Sequence, residues 1–257
     1  MIDRKQSAEF RFYAELNDFL PGDRRQKSFA YVFSGNPSIK DAIEAIGVPH
    51  TAVDVLLVNG DSVGFNHRLH PGDRVAVYPV FESFDISPLL RLRPEPLREP
   101  IFILDVHLGK LARRLRMLGF DALYRNDYDD PEIIRTALHQ HRIILTRDRG
   151  ILKNSLVTHG YWVRSEKAEE QVQEILVRFD LFRLVTPFVR CISCNGSLED
   201  VPKEEILNQI PPGTKAAFNE FRRCSNCEKI YWPGSHYQAM NKMIKELGNR
   251  GKQVKSA

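Results

Sequence analysis

Four cysteines stand in two pairs, Cys191-x-x-Cys194 and Cys224-x-x-Cys227. Two such knuckles place four thiolates at the corners of a tetrahedron, the geometry Zn²⁺ prefers, and four protein ligands leave no position open for catalysis. The spacing therefore predicts a structural zinc. Two disulfides or two unrelated redox motifs would use the same residues. Disulfides belong to oxidising compartments, and the polar opening Met1-Ile2-Asp3-Arg4-Lys5-Gln6 lacks the apolar core of a secretion signal. The long separation between the pairs calls for inserted turns or helices, expected over Ile206–Ile210 and Lys215–Phe221.

A second set of residues suits harder cations. Asp105 follows the apolar run Ile101-Phe102-Ile103-Leu104, Asp148 follows Arg142-Ile143-Ile144-Leu145-Thr146-Arg147, and Asp129 and Asp130 open the helix between those two segments. In an open parallel sheet, ligands gather at the carboxyl ends of strands. Converging carboxylates hold Mg²⁺ or Mn²⁺, and a cation so held acidifies water and stabilises a phosphoryl transition state. Each acid also has a purely structural reading. Asp130, before Pro131, makes a good N-cap, and Asp148 can simply start a turn. Asp105 is harder to dismiss, because an unpaired charge at the edge of a core is costly.

Cations lie near these acids in the chain: Lys110, Arg113, Arg114, Arg116, Arg147 and Arg149. Lys and Arg contacts to phosphate supply most sequence-independent affinity for nucleic acid, although any single one can also be part of a solvated face. Tyr231, Trp232 and His236 beside the second knuckle either stack on unpaired bases or form the small core of the cysteine-rich segment. His107, two residues after Asp105, is a candidate for proton transfer or an ordinary exposed histidine.

The elements that must position these groups follow from periodicity. The chain of 257 residues carries 37 Lys and Arg against 33 Asp and Glu, a net charge of +4. No apolar run approaches the ~18 residues of a bilayer span, which points to a cytoplasmic globular protein without a membrane partner. Ala8–Leu16 and Ser28–Phe33 alternate as strands. Ser38 caps a helix over Ile39–Ile46 that Gly47 closes. Asp54–Val58 and Arg74–Tyr78 are further strands, separated by the turn signals Asn59-Gly60 and Pro71-Gly72-Asp73. Pro88, Pro94, Pro96 and Pro100 interleave with Arg91, Arg93 and Arg98 in an extended linker. Beyond it, Ile101–Asp105 reads as a strand covered on both faces, and Leu108–Gly119 as a helix burying Leu108, Leu111, Leu115 and Leu118 with its Lys and Arg on the other side. Phe120–Tyr124, a helix from Asp130 to about Gln140, and Arg142–Thr146 complete an α/β pattern that implies a doubly wound parallel sheet. Tyr237–Leu247 is helix-like and is followed by a basic tail.

Two resemblances rest on these segments. Val58-Asn59-Gly60 and Leu69-His70-Pro71-Gly72-Asp73-Arg74-Val75, in the order strand, strand, helix, strand, strand, resemble the ubiquitin-like sulfur carriers over about residues 7–82. Those carriers act through a free C-terminal Gly-Gly. Here Val80-Phe81-Glu82-Ser83 follows and the chain continues, so a binding role is expected instead. Phe102-Ile103-Leu104-Asp105-x-x-Leu108-Gly109-Lys110-Leu111-Ala112-Arg113-x-Leu115-Arg116-x-Leu118-Gly119, the run Arg142–Asp148, Cys191-x-x-Cys194-Asn195-Gly196, Phe221–Cys227 and Tyr231-Trp232-Pro233-Gly234-Ser235-His236 resemble the Mut-seven C-terminal RNase family over about residues 101–240.

That resemblance implies a β-grasp domain over 1–86, a Pro/Arg linker over 87–100, a PIN-like nuclease domain over 101–188, a zinc ribbon over 189–240 and a basic tail over 241–257. It implies a metal-dependent ribonuclease of RNA processing or decay. Asp105, Asp130 and Asp148 would hold Mg²⁺ or Mn²⁺, Asp129 is the alternative to Asp130, and Thr146 would support the site through its hydroxyl. Lys110, Arg113, Arg114, Arg147 and Arg149 would contact RNA, and Cys191, Cys194, Cys224 and Cys227 would hold structural zinc. The N-terminal domain would bind RNA or a protein partner. A non-catalytic RNA-binding or adaptor protein on the same fold is the competing reading.

Overall fold

The computed structural model describes residues 6–79 and 100–234, together with Tyr237 and Ile244. The expected linker, apart from Pro100, and the basic tail, apart from Ile244, lie outside the described residues, as does His236. In chain order the elements are β1 Gln6–Phe12, β2 Phe29–Phe33, α1 Ile39–Ile46, β3 Val53–Val58, β4 Asp61–Ser62, β5 Arg74–Pro79, β6 Phe102–Leu104, α2 Gly109–Met117, β7 Ala122–Leu123 and α3 Asp130–Gln140. They continue with β8 Ile143–Thr146, α4 Arg149–Leu152, β9 Gly160–Trp162, α5 Ala168–Arg178, β10 Leu198–Asp200, α6 Pro212–Ala217, β11 Arg222–Cys224 and β12 Ile230–Tyr231. The described residues form two compact units, one containing 6–79 with 148–162, the other 100–147 with 163 onward.

In the first unit, five strands lie in the order β2-β1-β5-β3-β4. β1 and β5 run parallel at its centre, with Phe10 opposite Val75, and β3 pairs antiparallel to β5. Ala8, Phe10 and Phe12 alternate inward and meet Ile39 and Ile43 of α1, Leu56 and Val77 in one core. Ser38 accepts from the Asp41 amide while Asp41 returns the bond to Ser38, a reciprocal cap, and Gly47 ends the helix at φ 116°. The first strand is shorter than its alternation suggested. Ala14 takes φ 46°, and residues 14–19 wind into 3₁₀ turns that bury Leu16. β4 adds a short fifth strand across the Asn59-Gly60 turn.

In the second unit, β6 lies between β7 and β8 and is parallel to both, with Phe102 opposite Ala122 and Ile143. Every residue of β6 and β8 is buried, as a strand covered on both faces requires. α2 buries Leu111, Ala112 and Leu115, and Leu108 and Leu118 flank it in the core. Arg116 departs from its expected place on the outer face. It is only 3% exposed, because its guanidinium is satisfied by three backbone carbonyls described below. The start of α3 also differs from expectation: Asp129 is the N-cap, accepting from the Glu132 amide at 2.7 Å, and Asp130 is the first helical residue. Proline favours the residue before it to be extended, yet here Pro131 simply occupies the first turn, where its missing N–H costs nothing.

The cysteine-rich segment contributes the antiparallel sheet β10-β11-β12. Its small core is Val201, Ile206, Ile210 and Phe221, with Trp232 packed against it. The insertion between the cysteine pairs contains a 3₁₀ turn at Lys203–Ile206 and α6.

Candidate active site and metal centre

The sulfurs of the four cysteines lie within 4.8 Å of one another. Cys191 and Cys227 are 3.6 Å apart and Cys194 and Cys224 3.4 Å, far beyond a disulfide bond, and all four are free thiols. Sulfurs bound to one tetrahedral Zn²⁺ at about 2.3 Å would sit roughly 3.8 Å from each other. Backbone amides point at the sulfurs: Cys194 toward Cys191, and Asn226 and Cys227 toward Cys224. Asn195 and Glu228 follow the knuckles at φ 71° and 59°. Gly196 is needed for space, since a Cβ there would lie 2.8 Å from the Asn226 Cβ and 2.9 Å from the Cys224 sulfur.

The crowding of the four thiols sets their protonation. Burial pushes the Cys191 thiol up, but hydrogen bonds from the Tyr231 hydroxyl and the Cys194 amide outweigh it and bring it to about 6. The Lys229 amide favours the Cys227 thiolate, yet burial and the three neighbouring sulfurs together push that thiol up to about 12. Thiolates crowded this closely cannot all ionise without a cation among them.

The first knuckle is fastened to the parallel sheet. Arg116 Nε donates to the Ala122 carbonyl at 2.8 Å, and its Nη1 donates to the carbonyls of Ile192 at 3.2 Å and Ser193 at 2.9 Å. Asn195 accepts from the Ala122 amide at 3.0 Å and donates to Asp121 at 2.8 Å. Asp121 also pairs with Arg142 at 2.5 Å and Arg190 at 3.2 Å. Burial opposes ionisation of Asp121, but the Arg142 and Asn195 hydrogen bonds hold its carboxyl below the usual range. Sequence reasoning met Asn195 only as part of the first knuckle's motif and passed over Asp121 and Arg190. Their only sequence signal is proximity to a knuckle or a strand end.

Asp105 caps the turn after β6 and is 5% exposed. Its Oδ1 accepts from the His107 amide at 2.8 Å, and its Oδ2 accepts from the Arg147 amide at 2.8 Å and from the Thr146 hydroxyl. Thr146 is fully buried at the end of β8. A carboxylate has about four acceptor positions, so three such bonds orient this one and leave one position. Asp130 is exposed at the first residue of α3, while Asp129 is occupied as its cap. Asp148 belongs to the first unit, where it is exposed and caps α4 by accepting from the Gly150 amide at 2.6 Å. Among the described residues, no metal-sized group of three ligand atoms includes Asp105, Asp129 or Asp130.

A groove of about 1340 Å³ opens in the second unit at His107, whose amide holds Asp105. Lys110, Arg113 and Arg114 line one wall, and Ser193 and Lys229 of the two knuckles line part of the rest. Lys110 and Arg113 are exposed, Arg114 pairs with Glu169, and Lys229 donates to the Ser193 hydroxyl at 2.6 Å. Arg147 is not among the groove's lining residues; it bonds the Ser165 carbonyl at 2.9 Å and pairs at 3.5 Å with Glu166, which does line it. Arg149 lies in the first unit with its guanidinium 3.8 Å from the Trp162 ring centre. The Tyr231 hydroxyl contacts the Cys191 sulfur, and Trp232 packs on the small core while both rings stay partly exposed.

An α/β domain with a parallel sheet and a four-cysteine cluster, preceded by a mixed sheet with one helix, defines a two-part chain. The family of the Mut7-C RNAse domain matches residues 100–244, and that of the Mut7-C ubiquitin domain matches residues 5–85. The chain belongs to the Mut7-C RNAse domain family, with a ubiquitin-like domain ahead of the ribonuclease-like one. No curated protein and no solved structure matches it. No helix among the described residues is long and apolar enough to cross a membrane.

Proposed function

We propose that this chain is a ribonuclease that hydrolyses RNA phosphodiester bonds with the help of Mg²⁺ or Mn²⁺, in RNA processing or decay in the cytoplasm. The observation that carries the reading is the adjoining of an oriented, buried carboxylate and a cationic groove: Asp105 and the groove share His107, by its amide and its side of the groove. Lys110 and Arg113, both exposed in the groove, would attract the phosphate backbone. Thr146 and the amides of His107 and Arg147 hold the Asp105 carboxyl in one orientation.

The parallel sheet is read as PIN-like, and Asp105, Asp130 and Asp148 are each read as candidate cation ligands. Their oxygen donors suit Mg²⁺ or Mn²⁺, and Asp105 keeps one acceptor position for it. When bound, the cation supplies Lewis-acid polarisation of the phosphodiester and a more acidic water. The four cysteines are read as a structural zinc site, which their sulfur spacing fits. The ubiquitin-like domain is read as a docking module for a protein partner.

End-labelled RNA, including transfer RNA, incubated with Mn²⁺ or Mg²⁺ tests this reading against EDTA and Asp105→Asn controls. Metal-dependent products that vanish in the variant are expected. One observation favours the non-catalytic alternative: Asp129 and Asp148 already serve as helix caps, and Asp105 already accepts three bonds. Intact RNA in every lane, with a gel shift that survives EDTA, would establish that alternative.

A further inference from the structure

The first unit holds a second group of metal-type ligands, remote in sequence from the cysteines. One ring nitrogen of His67, one of His70 and a carboxylate oxygen of Asp73 lie within 4.8 Å of one another. We propose that His67, His70 and Asp73 form a binding site for a Zn²⁺-class divalent cation, with a fourth position left to water or an outside ligand.

The donor set is two imidazoles and one carboxylate, the composition of three-ligand zinc sites. Atoms bound to a tetrahedral cation at about 2.0 Å stand roughly 3.3 Å apart. His70 Nδ1 and Asp73 Oδ2 are 3.8 Å apart, so closing on a cation requires movements of a few tenths of an ångström there. The segment is already held in place. Leu69 between the histidines is fully buried and its amide bonds the Pro37 carbonyl at 3.1 Å, while the Ile39 amide bonds the His67 carbonyl at 2.9 Å. Asp73 is buried and accepts from Asn59 Nδ2 at 3.0 Å on Oδ1 and from the His70 amide at 2.8 Å on Oδ2. Each of its oxygens retains one acceptor position.

A turn anchor alone would account for Asp73. It does not account for His67, whose Nε2 is buried without a hydrogen-bond partner. Such a nitrogen ordinarily finds a partner, because a buried polar atom left without one keeps its full desolvation cost. A cation bound through Nε2 would supply that partner. His70 completes the site from the solvent side, its side chain 67% exposed, which opens the fourth position to the surface.

The test uses tag-free full-length protein dialysed to equilibrium against buffered Zn²⁺, with zinc per chain measured by mass spectrometry. Wild type is expected to carry one zinc more than His70→Ala and one more than His67→Ala. His70 is exposed, so its variant is expected to keep the wild-type circular dichroism spectrum. Equal zinc content in wild type and His70→Ala would overturn the proposal. Co²⁺ added to protein given a single equivalent of zinc, which the four thiolates take first, gives an independent reading: a d–d absorption without a thiolate charge-transfer band, absent from His70→Ala. A wild type without that absorption would also count against the site.

Discussion

Thr146 donates its hydroxyl to Oδ2 of Asp105 where two neighbouring parallel strands end side by side. The Asp105 amide bonds the Leu145 carbonyl at 3.1 Å, so the same ladder that aligns β6 with β8 sets the side-chain pair. An acid at the rim of an apolar core is thereby oriented and kept 5% exposed.

This pairing predicts that Asp105→Asn lowers RNA cleavage by about 100-fold or more, on the scale of removing one electrostatic catalytic group. Thr146→Val is expected to cost about 1–2 kcal/mol of stability and to reduce cleavage, while Thr146→Ser keeps the donor and most of both. Gel assays and urea denaturation of the three variants provide the check.

The groove predicts a salt signature. Lys110→Ala and Arg113→Ala are each expected to weaken binding to single-stranded RNA irrespective of sequence. Each should flatten the plot of log affinity against log salt by about 0.7. Fluorescence anisotropy at several salt concentrations measures it. An unchanged slope would place the RNA elsewhere.

For the cysteine cluster, Cys227→Ser is expected to release the zinc of that site and to lower the melting temperature. A chelator should do the same to the wild type. With the cation gone, the crowded sulfurs must take up protons, and Cys227, pushed up to about 12, is among the first to do so. Zinc analysis alongside calorimetry separates metal loss from simple misfolding.

Asp121 predicts an acid limit. Its carboxyl sits lower in the folded chain than its unfolded value of about 3.9. Its contribution is therefore present above that value and is lost as pH falls through the folded one. Asp121→Asn is expected to cost about 2 kcal/mol at neutral pH and to make stability fall less steeply below about pH 4. Denaturation curves at a series of pH values decide the matter.

Gly119 ends α2 at φ +97°, and a Cβ there would stand 2.1 Å from the Thr186 carbonyl oxygen. Gly119→Ala is expected to destabilise by about 2 kcal/mol or more, since both the backbone conformation and the contact oppose it. Thermal melts compared with Gly213→Ala, where a Cβ meets nothing within 4 Å, isolate the effect.

Much of the local structure was legible in advance. The helix between Ser38 and Gly47 was readable to the residue, because its reciprocal cap and its left-handed end are written within ten positions. The leucine stripe of α2 and the apolar runs of β6 and β8 were equally plain. The cap of α3 was misplaced by one residue, since Asp129 and Asp130 are alike in type and only backbone geometry separates them.

By itself, the sequence determined what depends on neighbours in the chain: caps, turns, apolar periods and the pairing of cysteines three apart. Tertiary structure alone decided which charges stay exposed and which are fasteners. Arg116 shares a helix with Lys110 and Arg113, yet it is buried because carbonyls 76 and 77 residues away come to meet it. Lys229 reaches the same groove from the far knuckle. A cation's role depends on whether its hydration is replaced by fixed oxygens, and those oxygens are brought by the fold rather than by the adjoining residues.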